Sequence, residues 1–119
     1  MASNKEFVHY ICSKLEDIAL ITYRPMMGEY LIYVNGIYTL AVADNQVFLK
    51  PTKEVEPLLK EVVLEPMYPG AKPSYLINDF EDKAYFEDIV LKTYQVLKEK
   101  GIRSNNYHTN KHHYWCFLL

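Results

Sequence analysis

The sequence predicts a two-layer α+β fold, in which helices cover one face of a mostly antiparallel, five-stranded sheet. Apolar residues repeat with helical three-and-four spacing in two separate segments. Between these segments, Asn35-Gly36 separates two apolar runs, which is a strong signal for a β-hairpin. Strands and helices do not alternate along the chain, so parallel strand–helix–strand units are not expected. The predicted element order is α-β-β-β-α-β-β-α.

The first predicted element is a helix. Ser3 and Glu6 have the spacing of a capping box, in which each side chain accepts a hydrogen bond from the other residue's backbone amide. The apolar stripe that follows consists of Phe7, Tyr10, Ile11, Leu15, Ile18 and Ala19. The pattern changes from Ile21 onward, so the helix is predicted to end near Ala19 or Leu20.

A three-stranded antiparallel meander follows the first helix. The Asn35-Gly36 turn sets the register of its first two strands. The predicted cross-strand pairs are Val34 with Ile37, Ile32 with Thr39, and Leu31 with Leu40. A second turn at Asp44-Asn45 leads into a third strand from Gln46 to Lys50.

Alternation along these strands assigns their side chains to two faces. The face predicted to receive the helices holds Leu31, Tyr33, Tyr38, Leu40, Val42, Val47 and Leu49. The opposite face holds Tyr30, Ile32, Val34, Ile37, Thr39, Ala41, Ala43, Gln46, Phe48 and Lys50. This second face is too apolar for a plain solvent face, and large exposed apolar patches mark interaction sites. We therefore expect a contact surface there, covered in part by another segment.

The middle of the chain predicts a short helix and two short strands. The helix begins as late as Pro57, because proline suits the first helical turn, and it ends near Glu61. The strands cover residues 63–67 and 74–77, and turn-forming residues dominate the segment 68–73 between them.

The last helix has the clearest pattern in the sequence. Asn78-Asp79 is its predicted cap and Gly101 its predicted stop. Its apolar stripe consists of Phe86, Ile89, Val90, Thr93 and Leu97. Residues 1–101 are therefore predicted to form one domain, and residues 102–119 an aromatic, His-rich tail.

Composition excludes several classes of protein. The formal net charge of −2 argues against direct nucleic-acid binding, because domains that neutralise phosphates concentrate Lys and Arg. Two cysteines are too few for a disulfide framework, and the first residues do not resemble a signal peptide. No apolar run approaches the ~20 residues that cross a bilayer, so we expect a cytoplasmic protein without membrane insertion. With four glycines and no phosphate-binding loop, no cofactor is predicted.

The motif around Arg24, Gly28 and Glu29 has two interpretations. Arg24 can offer its planar guanidinium to a carboxylate or phosphate of a partner. Alternatively, Gly28 permits a tight bend while Arg24 pairs with Glu29 near the edge of the sheet. No His or Cys lies beside this motif in the sequence, so catalysis is not expected and the chain is predicted not to be an enzyme.

The tail also has two interpretations. Candidate ligands for zinc or a similar cation are His108, His112, His113 and Cys116. Zinc sites typically need four ligands, and the remaining histidine, His9, is distant in sequence. The alternative is an apolar end that packs on the spare sheet face or on a second subunit, formed by Tyr114, Trp115, Phe117, Leu118 and Leu119.

Three blocks of sequence resemble the N-terminal domain of the TfoX competence-regulator family. The blocks are residues 21–30 with Ile32-Tyr33 and Asn35-Gly36, residues 44–52, and Tyr68-Pro69-Gly70-Ala71-Lys72-Pro73. They occur in the order of the family and span nearly the whole chain. The sequence departs from the family pattern at Met27, where Phe is usual, at Leu31, where Gly is usual, and after Gly101.

This resemblance implies a two-layer α+β fold with the element order predicted above. In some bacteria, full-length members of the family activate natural-competence genes together with the cyclic-AMP receptor protein, and they carry a second, helical C-terminal domain. The 119 residues do not include such a domain. Stand-alone N-terminal domains of the family are mostly of unknown role, so the resemblance does not carry the competence function over to this chain.

Together these observations predict a non-enzymatic regulatory or protein-interaction module, which contacts a protein partner or forms a homodimer. The residues predicted to make the contact are Tyr23, Arg24, Met27, Glu29, Tyr30, Ile32, Phe48 and Trp115. The alternative is a small-molecule or metal-binding protein that uses the His/Cys tail, and DNA binding is a third hypothesis.

Overall fold

A computed structural model describes residues 5–101 and 114–115. Within these residues the chain forms two α-helices, α1 (Lys5–Ser13) and α2 (Lys83–Glu99). The strands are β1 (Ile21–Met26), β2 (Glu29–Val34), β3 (Ile37–Ala43), β4 (Gln46–Leu49), β5 (Leu64–Pro66), β6 (Pro73–Ile77) and β7 (Tyr114–Trp115). They form a seven-stranded sheet in the order β5-β6-β4-β3-β2-β1-β7, with every neighbouring pair antiparallel. The predicted α+β class is confirmed.

The sheet contains two strands beyond the predicted five, namely β1 and β7. β1 pairs with β2 along its whole length and extends the meander. Ile21 and Tyr23 of β1 are buried in the main core, whereas Arg24 is only half-buried, so the first half of β1 is more deeply buried than the second. β7 adds an edge beyond β1, where Trp115 pairs with Thr22.

The first helix is shorter than predicted, because α1 ends at Ser13 instead of near Leu20. Tight turns continue the chain beyond it. The backbone amides of Lys14, Leu15 and Ile18 donate hydrogen bonds to the carbonyls of Ile11, Cys12 and Leu15, at 3.2, 3.0 and 3.1 Å. These i to i+3 bonds tighten the winding of the chain and still keep Leu15 fully buried. Apart from Tyr10, which is 40% exposed, the predicted apolar stripe thus lies in or against the main core without a continuous helix.

The helix predicted after Pro57 is wrong. The segment forms one turn of 3-10 helix, Glu56–Leu58, and the chain is extended again at Leu59. Pro57 suits the start of a helical turn, but no side chain caps this turn and none of its residues is buried. Without a buried face, the turn has nothing to extend it into a helix.

The end of the last helix matches the prediction better than its start. α2 ends at Glu99, and Gly101 adopts the left-handed conformation, with φ of +79°, that stops many helices. Its cap is Asp82 instead of Asn78-Asp79, since the Asp82 carboxylate accepts a hydrogen bond of 3.3 Å from the Tyr85 amide.

The β2–β3 hairpin contains a bulge that changes its register. Val34 pairs with Ile37 as predicted. Beyond them the predicted pairs of Ile32 with Thr39 and Leu31 with Leu40 are wrong, because Ile32 lies opposite Leu40 and Leu31 opposite Ala41. Thr39 is the extra residue of β3, and its hydroxyl donates a 2.9 Å hydrogen bond to the Ile37 carbonyl.

The bulge reverses the predicted faces of β2. Ile32 and Val34 are fully buried in the main core and therefore do not belong to the spare face. Tyr30 also packs against this core. The prediction is confirmed for Leu40 and Val42 of β3 and for Val47 and Leu49 of β4, since all four lie in the main core together with side chains of α1 and α2.

We call the side of the sheet away from α1 and α2 the outer face. It carries a second apolar cluster of Leu31, Tyr33 and Ala41, with Met26, Tyr38 and Met67 packed against it. The prediction that Leu31, Tyr33 and Tyr38 point toward the helices is therefore wrong. No helix among the described residues combines the length and the apolar character needed to cross a membrane.

Candidate functional site

The loop of residues 67–72, between β5 and β6, covers part of the outer face. β6 pairs with β4 so that Ile77 lies opposite Val47, which places the start of β6 at the end of the sheet away from Asp44. Tyr68 nevertheless lines a cleft together with Asp44. The loop 67–72 must therefore lie back across the outer face, where Met67 packs against the second apolar cluster.

The cleft, which we call the end cleft, lies between this loop and two hairpin turns. It has a volume of about 490 Å³ and is lined by Met27, Gly28, Glu29, Ala43, Asp44, Met67, Tyr68 and Pro69. An overlapping hollow of about 310 Å³ is lined by Met26, Met27, Glu29 and Tyr68. Methionine and tyrosine thus contribute the large apolar side chains of the lining, and two carboxylates supply the charge.

Met27 occupies an unusual position on the rim of the end cleft. Met27 and Gly28 form the two-residue β1–β2 turn, and both have positive φ, +51° and +86°. Turns of this type prefer Asn, Asp or Gly, whereas a bulky residue with positive φ is strained by roughly 1–3 kcal/mol. The Met27 side chain is nevertheless 95% exposed. A large apolar side chain is therefore held in water on a strained backbone.

Glu29 begins β2 on the outer face and is half-buried. Burial raises the pKa of its carboxyl, because a charged group loses hydration there. Arg24 pairs with Leu31 and Glu29 with Met26, so both charged residues lie on the same face of neighbouring strands. The tight bend expected at Gly28 is present, with φ of +86°, but within the described residues no ion pair joins Arg24 to Glu29.

Tyrosines lie next to the end cleft on the outer face. The rings of Tyr33 and Tyr38 have centroids 6.0 Å apart at an interplanar angle of 49°. Burial raises the pKa of Tyr38 to about 12, and the charges of Tyr33, Glu29 and Tyr68 act in the same direction. These groups therefore lie close enough to interact electrostatically, and the Tyr38 hydroxyl stays protonated at neutral pH.

Lys50 lies over the ring of Tyr38. Its ammonium is 4.9 Å from the centroid of the Tyr38 ring, a cation–π distance. Burial lowers the pKa of Lys50, because the charged ammonium is partly desolvated. The ring faces of this part of the outer face therefore accept a cation.

The structure separates the residues predicted to make the contact. Met27 and Glu29 meet in the end cleft, and Arg24 lies nearby on the outer face. Phe48 is on the outer face by alternation with its buried neighbours, but it is only 4% exposed.

The other four predicted contact residues lie elsewhere. Tyr23 and Ile32 belong to the main core, where the Tyr23 hydroxyl is 3.0 Å from Nε2 of His9. Tyr30 packs on this core with its ring centroid 5.8 Å from that of Tyr23. Trp115 is placed by its backbone pairing with Thr22 in β7.

Sequence reasoning missed several residues of the end cleft, chiefly Asp44, Met67 and Tyr68. Tyr68 belongs to a turn-rich segment that the sequence did identify, and the Ala71 amide donates a 3.0 Å hydrogen bond to the Tyr68 carbonyl. No local pattern shows that such a turn lies back over a sheet. The one signal available in the sequence was the pair of large apolar residues, Met67 and Tyr68, beside the Pro69-Gly70 turn.

The candidate metal ligands His108, His112, His113 and Cys116 lie outside the described residues. Within residues 5–101 and 114–115, no group of three or more His, Cys, Asp or Glu side chains could hold a metal ion. The hypothesis of a metal site in the tail stays a prediction.

Comparison with known proteins gives one informative similarity. No family model matches the chain. The chain is similar to an uncharacterized 12.7 kDa protein in the trpE 5′ region of Spirochaeta aurantia, with 26% identity over 98 residues. The alignment covers 82% of this chain and 85% of the relative, so the two proteins are alike over most of their lengths. The resemblance to the TfoX N-terminal domain stays a prediction.

Proposed function

We propose that this chain is a non-enzymatic protein-interaction module of regulatory type, and that it binds its protein partner through the end cleft. The observation that carries this proposal is the position of Met27, which is 95% exposed on a strained two-residue turn. Tyr68 is 46% exposed on the opposite wall of the same cleft. Methionine and tyrosine are both enriched at protein interfaces.

A partner that covers Met27 gains a substantial apolar contact. Burying a methionine side chain contributes roughly 1.5–3 kcal/mol. The long, unbranched side chain also adapts to irregular surfaces, which suits it to recognition. Because the turn presents Met27 already ordered, little backbone freedom is lost when the partner binds.

The resemblance to TfoX N-terminal domains supports the regulatory part of the proposal. Met27, Gly28 and Glu29 belong to the first matching block, and Tyr68 opens the third. All four line the end cleft. The blocks that carry the resemblance therefore converge on one surface, and family members act together with another protein.

The site proposed here differs from the surface predicted from the sequence. That surface centred on Ile32 and Phe48, which are 0% and 4% exposed. Neither side chain is available to a partner. The accessible part of the outer face is its end, where Met27, Glu29 and Tyr68 lie.

Substitution of Met27 by asparagine tests the proposal, because asparagine suits the left-handed turn and removes only the exposed apolar side chain. The tagged chain, its Met27→Asn variant and a control variant are used to capture proteins from the native host, with quantitative mass spectrometry. Leu20→Asn is the control, since Leu20 is 42% exposed and precedes β1 at the end of the sheet away from the cleft.

Tyr68→Ala serves as a second cleft variant. We expect the captured amount of at least one protein to fall tenfold or more with Met27→Asn and with Tyr68→Ala. The same protein should be captured in unchanged amount with Leu20→Asn. Identical capture by all four proteins would contradict the proposal. If the protein lost from the capture is a second copy of the chain, and light scattering verifies that the native chain self-associates, the contact is a homodimer instead.

A further inference from the structure

Among the described residues, the end cleft carries two carboxylates and no cation. Glu29 and Asp44 are both among its lining residues, and none of those residues is Lys, Arg or His. Neither carboxylate takes part in an ion pair within the described part of the chain. Several other carboxylates do: Asp17, Glu54, Asp79, Glu81 and Asp82 each lie beside a lysine.

The chain shows twice how it binds a lysine with tyrosine and carboxylate together. The Lys60 ammonium is 4.5 Å from the Tyr85 ring centroid and bonds to Asp79 and Asp82 at 2.6 and 3.0 Å. The combination satisfies the cation with both charge and ring face.

The second example is Lys14. Its ammonium is 4.8 Å from the Tyr10 ring centroid and 3.4 Å from Oε1 of Glu81. In both examples a tyrosine and at least one carboxylate surround one ammonium group. The end cleft has the same components, Tyr68 with Glu29 and Asp44, but its described residues provide no ammonium.

From this third, unfilled combination we infer that the partner inserts a lysine side chain into the end cleft, between Tyr68 and the carboxylates of Glu29 and Asp44. This inference rests on the proposed function and adds the chemistry of the partner. Met27 and Met67 line the same cleft and provide apolar walls for the four-carbon stem of the lysine.

A metal ion fits the end cleft less well than a lysine. Calcium takes six to eight oxygen ligands, and magnesium demands near-octahedral oxygen coordination. The cleft offers two carboxylates among methionine, proline and tyrosine side chains. Burial also raises the pKa of Glu29, and a neighbouring ammonium would offset the cost of its charge.

The test uses n-butylammonium as a probe for the lysine side chain and n-pentanol as its uncharged counterpart. Each is titrated at low ionic strength into the isotope-labelled full chain, and backbone amide shifts are followed by NMR. The variants are Glu29→Gln and Asp44→Asn, which keep side-chain shape, and Glu16→Gln as control. Asn at position 44 tolerates the left-handed turn conformation that Asp44 adopts, with φ of +53°.

We expect butylammonium to shift the amides of residues 27–29, 44 and 68 with saturation in the millimolar range. Both cleft variants should weaken this binding at least threefold, and Glu16→Gln should leave it unchanged. Pentanol should shift the same amides at least fivefold less at equal concentration.

Equal shifts with pentanol, or shifts unaffected by Glu29→Gln and Asp44→Asn, would overturn the lysine inference. Guanidinium binding tighter than butylammonium would also overturn it, in favour of arginine. These results leave the proposed function intact, because that proposal fails only if Met27→Asn captures the same proteins as the native chain.

Discussion

Ile32 lies opposite Leu40 across β2 and β3, one position beyond the pairing that an unbroken hairpin from the Asn35-Gly36 turn would give. The bulge at Thr39 creates this offset and places Ile32 beneath the helices. Side chains alternate along a strand, so a shift of one residue exchanges the buried and outer residues of β2. The identity of the outer face, and with it the position of the end cleft, depends on this single extra residue.

Truncation of Ile32 should strongly destabilise the fold. Ile32 is 0% exposed, and Ile32→Ala leaves a cavity in the main core. We expect the free energy of unfolding to fall by about 2–5 kcal/mol, measured by urea denaturation. The control Leu64→Ala removes a side chain that is 51% exposed and should change stability by less than about 1 kcal/mol. Similar small changes in both variants would contradict the assigned face of Ile32.

Deletion of Thr39 should disrupt the fold more than any substitution at that position. The deletion removes the bulge, so Ile32 and Val34 would have to point away from the helices. We expect the deletion variant to lose its cooperative unfolding transition in calorimetry. The matched control is Thr39→Ser, which keeps the residue count and the hydroxyl that donates to the Ile37 carbonyl at 2.9 Å. A deletion variant that unfolds cooperatively near the native temperature would show that the bulge is dispensable.

The sequence predicted those parts of the fold that local patterns determine. Asn35-Gly36 has positive φ at both residues, +50° and +85°, as a tight hairpin requires, and Gly101 stops α2. β5 and β6 also lie where two short strands were predicted, at residues 63–67 and 74–77. Each of these signals acts within a few neighbouring residues, so the sequence alone shows it.

The parts that the sequence did not predict depend on distant contacts. The bulge at Thr39 has no turn residue to mark it, and its place is determined by which face of β2 the helices cover. The end cleft combines Glu29, Asp44 and Tyr68 from the start of β2, the β3–β4 turn and the loop 67–72. Met27 and Glu29 were identified as contact residues from their motif, but their neighbours depend on the path of the loop 67–72.

Relief of backbone strain at Met27 should stabilise the chain. Met27 has φ of +51°, which asparagine adopts more readily than methionine. We expect Met27→Asn to raise the free energy of unfolding by roughly 1 kcal/mol. Met27→Leu is the matched control, since it keeps both the strain and the exposed apolar surface, and its stability should match the native chain. A lower stability of Met27→Asn in urea denaturation would show that the Met27 side chain is held by contacts within the chain.

Truncation of Met67, a side chain of the loop 67–72, should loosen the outer face while preserving the main core. Met67 packs against the cluster of Leu31, Tyr33 and Ala41 and is half-buried. We expect Met67→Ala to lower the free energy of unfolding by about 1–2 kcal/mol, less than a fully buried methionine would, because only part of its surface leaves water. Amide hydrogen exchange should accelerate in the loop 67–72 and remain slow in α2. Uniform acceleration through both segments would contradict a separate outer cluster.

Ionisation of Tyr38 should destabilise the chain at high pH. Its pKa is raised from 10.0 to about 12, chiefly by burial and further by Tyr33, Glu29 and Tyr68. Between these two values the unfolded chain loses the Tyr38 proton while the folded chain keeps it, so this contribution to stability is complete below pH 10 and is lost as pH rises toward 12.

Comparison with Tyr38→Phe isolates that contribution, because other groups, including Lys50 with its lowered pKa, titrate in both proteins. The stability of the native chain minus that of the variant should fall by at most about 3 kcal/mol between pH 10 and 12, since each unit of pKa shift corresponds to about 1.4 kcal/mol. Urea denaturation at several pH values gives this difference, and the absorbance of the phenolate reports the titration directly. If the difference in unfolding free energy between the two proteins stays constant across this pH range, the Tyr38 hydroxyl ionises as freely in the folded chain as in the unfolded one. An outer face left open by the loop 67–72 would produce that result.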